Sequence, residues 1–103
     1  MKNEADIFQR VNAEHQALEI LRVLASDISG GKSNDSVLGS YLEHCGMYAD
    51  PEVLCSIIDL LERSHLVRTN RVADYLVVAL SDEGERVATG KQMAEGVARP
   101  SRR

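Results

Sequence analysis

The chain has 103 residues, 44% of them hydrophobic, with 12 Lys plus Arg against 16 Asp plus Glu and a formal charge of −4. That length holds one domain around a single core, small enough to gain from a partner or a second copy. A run of roughly 18 apolar residues is missing, which excludes a helical membrane span, and one Phe, three Tyr and no Trp supply little surface for stacking on single-stranded bases.

The opening Met1–Asp6 is too polar and acidic to read as a signal peptide, so a cytoplasmic location is expected. Residues 4–28 predict a helix, because Ile7, Val11, Leu18, Leu21, Leu24 or Ala25, and Ile28 recur at one-face spacing. The polar patch Asn12-Ala13-Glu14 is a place where it can split in two. Ile20 and Val23 lie off the stripe and widen it, which points to a homodimer interface there. Ser29-Gly30-Gly31 marks the stop. A second helix is expected over 35–45, capped by Asn34 or Asp35, with Val37, Leu38, Tyr41, Leu42 and Cys45 on its apolar face. Asp50-Pro51 then opens a third over 51–63, a capping carboxylate followed by a proline whose missing N–H costs nothing there. The short link Gly46-Met47-Tyr48-Ala49 suits a helix-turn-helix. From Leu66 the pattern becomes extended, and 66–80 reads as a hairpin joined by Arg71-Val72-Ala73-Asp74. Ser81 caps a last helix over 81–90, and Gly96 and Pro100 suggest a loose end. The expected organisation is one domain over residues 1–95 and a flexible basic tail over 96–103.

Helix, helix, turn, helix, hairpin, helix is the order of a winged helix-turn-helix, a mainly α, α+β fold with a C-terminal β-hairpin wing and flanking helices. Its small sheet is completed by a short strand before the second helix, here Lys32-Ser33.

The stretch Ala13–Ala25 resembles the opening of a family of small proteins encoded by Mu-like phages and prophages. Asn34–Leu38, Leu60–Val67, Leu80-Ser81-Asp82-Glu83-Gly84 and the ending Gly96-Val97-Ala98-Arg99-Pro100 are similar to later parts of its pattern. The resemblance covers most of residues 13–100. It implies a winged-helix fold and a phage source, without implying an activity. Members tend to carry basic residues where the third helix starts, whereas this chain has Asp50-Pro51-Glu52.

Little here suggests catalysis. His15, His44 and His65 have no metal-ligand spacing, and Cys45 and Cys55 form no Cys-x-x-Cys pair; both are expected as buried core thiols. Gly30-Gly31-Lys32-Ser33 ends like a phosphate loop, but it follows a helix and lacks the earlier glycine. No cofactor, metal or small-molecule substrate is expected, and the chain does not read as an enzyme.

Charge distribution is more informative. From Asp35 to Glu62 there are six acids and no Lys or Arg, while Arg63–Ala73 holds three arginines and no acid. A groove-reading third helix would expose Glu52, Ser56, Asp59 and Arg63, acids set against a polyanion. Duplex DNA is therefore expected to be met through Arg63, Arg68, Arg71 and the tail arginines Arg99, Arg102 and Arg103. The alternative is an adaptor that binds a phage or host protein on the same scaffold.

Overall fold

The computed structural model describes residues 3–100. It is an α+β fold of four helices and a three-stranded antiparallel sheet, consistent with a winged-helix-like architecture. Helix α1 spans Glu4–Ala25, with Asn3 as cap: its side chain accepts the Asp6 N–H at 2.9 Å, and Glu4 and Asp6 complement the helix dipole. The patch at Asn12–Glu14 does not split it. It ends earlier than the expected position 28, because the Ser26 and Ser29 hydroxyls donate back to the carbonyls of Val23 and Leu24.

The core burial of α1 also differs from the expected stripe. Burial begins only at Gln16, while Ile7 and Val11 are exposed and Ile28, outside the helix, is 96% exposed. Ile20 is 0% exposed and Val23 is half-buried against the core. The expected dimer contact at Ile20 is thereby corrected. The second half of α1 packs against α2 (Asp35–His44), α3 (Pro51–Arg63), α4 (Asp82–Ala88) and the sheet, so its apolar stripe must be wider than a single interface requires. Gln16, the one buried polar residue among those described, donates to the carbonyls of Met47 and Tyr48 and ties α1 to the α2–α3 turn.

The remaining caps follow the sequence. Asn34 accepts from Val37 N–H, Asp50 from Val53 N–H and Ser81 from Gly84 N–H, each at 2.9–3.0 Å. Strand β1 (Lys32–Asn34) lies beside β3 (Tyr75–Leu80), which lies beside β2 (Val67–Val72), in the order β1-β3-β2. Asp35 extends this edge by accepting the Leu76 N–H at 3.1 Å, just past the end of β1. The hairpin loop is two residues, Ala73-Asp74, because Val72 pairs with Tyr75; the four-residue link is corrected. Ala73 takes the φ of 54° that an Asn-Gly pair would ordinarily supply.

Two further expectations are corrected. Cys45 and Cys55 are exposed: α2 buries only Leu38 and Leu42, Cys45 is its C-cap, and α3 turns Leu54, Ile57, Ile58 and Leu61 inward instead. The segment from Gly96 is docked as far as Ala98, since Val97 is buried and the Ala98 N–H donates to the Glu14 carbonyl at 3.0 Å.

Candidate nucleic-acid interface

Side chains alternate across a strand, so the register fixes which face each hairpin residue occupies. Val67, Thr69 and Arg71 share one face of β2 with the buried Val78 of β3; Arg68, Asn70 and Val72 share the other. Arg68 and Arg71 are both exposed, but they leave the hairpin on opposite sides.

The register also brings in a base that the sequence reading left out. Lys32 of β1 and Arg68 of β2 both pair with Ala79 of β3. They therefore flank Ala79 on the outer face, two strand spacings or about 10 Å apart. Both side chains are exposed. The next rows of this face carry Asn34, Val77 and Asn70, then Tyr75 and Val72, and no strand residue on it is acidic. Lys32 was legible as a strand residue, but its side could not be known before the register of β1 on β3.

The other expected contacts lie elsewhere. Arg63 is held by Asp59 in an ion pair of 3.0 Å on α3, which offsets much of its charge. Arg99 is exposed between Ala98, bonded to α1, and Pro100, which lies beside Gly90 after α4. Arg102 and Arg103 lie outside the described residues. The structure thus gathers Lys32 with Arg68 on one sheet face and puts Arg71 on the other, while Arg63 belongs to the end of α3 and Arg99 to the segment after α4.

Helix α3 exposes Glu52, Cys55, Ser56, Asp59 and Arg63. Glu62 is used structurally: its carboxylate accepts from the Thr69 N–H and hydroxyl, at 3.3 and 2.8 Å, and holds the hairpin to the end of α3. His15, His44 and His65 are all exposed, and among the described residues no three His, Cys, Asp or Glu side chains group as metal ligands. No described helix is long and apolar enough to cross a membrane.

The chain is 32% identical over 87 residues to an uncharacterized protein, gp26, of Escherichia phage Mu, an alignment covering 84% of this chain and 88% of that protein. The chain belongs to the Mu gp26 family. No protein-family model matches it, and no solved structure does.

The motif Leu80–Gly84, part of the phage resemblance, has a structural task here. The Ser81 N–H donates to the Leu66 carbonyl and its hydroxyl to the His65 carbonyl, while Gly84 packs directly over Leu66. A Cβ at position 84 would collide with the Leu66 carbonyl oxygen. The motif therefore pins α4 to the corner between α3 and β2.

Proposed function

We propose that this protein is a winged-helix accessory protein of a Mu-like phage or prophage, acting as a regulator that associates with duplex DNA through the outer face of its sheet. The observation that carries this reading is the row Lys32–Ala79–Arg68, two exposed bases about 10 Å apart on a sheet face whose strand residues include no acid. Phosphate contacts of this kind supply most non-specific affinity. Helix α3, which reads the major groove in many winged helices, meets the DNA only weakly in this reading, because Glu52 repels phosphates and Asp59 is paired with Arg63, the only base on the helix. Arg71, on the other side of the hairpin, is not part of this contact.

Pairing of two copies belongs to the same reading, now placed on the first turns of α1. Residues 4–11 are exposed throughout, and they include Ile7, Phe8 (68% exposed) and Val11. Short helices without a packed face are marginal in water, so these turns gain from an apolar partner. Sedimentation should give a dimer at tens of micromolar (roughly the range of modest interfaces), and Phe8→Glu should return it to monomer.

A gel shift on random duplex at low salt tests the DNA reading. Wild type should bind, Lys32→Ala and Arg68→Ala should each weaken binding on all sequences alike, and Glu52→Ala with Asp59→Ala should strengthen it. Truncation after Ala98 keeps the docked segment and removes Arg99, Arg102 and Arg103, so it isolates the contribution of the tail. Absence of wild-type binding at low salt would overturn the reading in favour of an adaptor.

A further inference from the structure

Between α2 and α3 runs an open groove of about 300 Å³. Small residues create it. The large apolar side chains of α2, Leu38 and Leu42, are turned into the core, which leaves Ser36, Gly39 and Ser40 along the groove. A Cβ on Gly39 would lie 3.3 Å from Leu54 Cδ2, so this glycine sets how closely the two helices approach. Tyr48, 62% exposed, supplies most of the apolar surface at the end, and Leu54, a core residue only 6% exposed, shows one edge in the opposite wall.

The groove is anionic at its edges. Asp35 and Glu43 line it, and the exposed Glu52 follows Pro51 of its α3 wall. No Lys or Arg occurs between Asp35 and Glu62. The two ion pairs among the described residues are Arg22–Glu19 and Arg63–Asp59, so Glu43 and Glu52 have no cationic partner among those residues. Apolar surface bordered by uncompensated carboxylates is complementary to one kind of chemistry, a segment that carries apolar and basic side chains together.

We infer that this groove docks a basic amphipathic segment of a partner protein, with an apolar side chain against Leu54 and Tyr48 and Lys or Arg neighbours meeting Glu43 and Glu52. Duplex DNA is disfavoured here by the same carboxylates. A second copy is disfavoured as well: its exposed Ile7, Phe8 and Val11 are accompanied by two acids, Glu4 and Asp6, against one base, Arg10. The inference is independent of the sheet-face reading, since the two surfaces share no residue.

The cysteines provide a footprint on the unmodified protein. Both are free and exposed, but Cys55 lines the groove and Cys45 does not. Alkylation by iodoacetamide is followed by mass spectrometry with and without a synthetic helical peptide of alternating Leu and Lys pairs. Saturating peptide should slow Cys55 roughly tenfold, as a covered thiol loses access to reagent, and leave Cys45 unchanged. A Leu/Glu peptide and a Ser/Lys peptide should give no protection. Glu43→Lys and the groove-filling Ser40→Trp, both at exposed positions, should abolish the Leu/Lys protection. The inference is overturned if both cysteines slow equally or neither slows, if the Ser/Lys peptide protects as well as the Leu/Lys peptide, or if duplex DNA protects Cys55 better than either.

Discussion

Single residues decide the corners of this fold, and several make claims that can be measured. Gly84 has no room for a side chain over the Leu66 carbonyl, which is backbone and cannot swing away. Gly84→Ala should cost about 2–3 kcal/mol, as overpacking against a rigid neighbour does, and a thermal melt should show Tm lower by roughly 10 °C or more. His65 is the opposite case. It sits at φ 65° after α3, where the N–H groups of His65 and Leu66 close the helix on the carbonyls of Glu62 and Leu61. Its side chain is exposed, and the Ser81 bond uses only its carbonyl. His65→Gly should therefore gain about 0.5–1 kcal/mol by relieving the left-handed strain, and urea denaturation should place its midpoint above that of wild type. Residue character misled the sequence reading at Cys45 and Cys55, whose apolar neighbours suggested burial. The exposure of each depends on the direction it faces from its helix, and α2 and α3 direct leucine and isoleucine inward instead.

At the scale of elements, the caps were the most legible feature. Asn34, Asp50 and Ser81 each accept the N–H three residues ahead, and α2, α3 and α4 start where those residues predict. The extent of α1 was not legible from its spacing, because an apolar repeat records which face is hydrophobic and not how far the neighbouring elements reach. Ile7, Phe8 and Val11 continue the pattern beyond the body of the fold. Hydrogen exchange should accordingly divide α1. Amides before residue 12 should exchange fast at low protein concentration and slow as concentration rises, whereas those of Leu18–Leu24 should stay protected throughout. Concentration-independent exchange in the first turns would count against pairing through them. The hairpin loop was misread for a physical reason as well: without Asn-Gly the sequence gives no sign that Ala73 will adopt a positive φ.

At the scale of the whole molecule, charge is divided by surface. The α2–α3 side is acidic, and the outer sheet face carries Lys32 and Arg68 without an acid on its strands. The sequence showed the acidic run and the basic stretch after it. It could not show that Arg68 and Arg71 part company, or that Lys32 joins Arg68, because both depend on strand register across a β1-β3-β2 order. The phage affiliation, by contrast, was readable from short segments spread over the chain, and the relationship to the phage Mu protein agrees with it. The salt dependence of duplex DNA binding addresses the sheet-face claim most directly. Each phosphate contact contributes about 0.9 to the slope of log affinity against log salt. Replacing Lys32 and Arg68 together with Ala should flatten the wild-type slope by roughly two units, with equal losses on unrelated sequences. An unchanged slope in that double variant, or loss of recognition of one particular site on Glu52→Ala, would contradict the account and return the reading of DNA to α3.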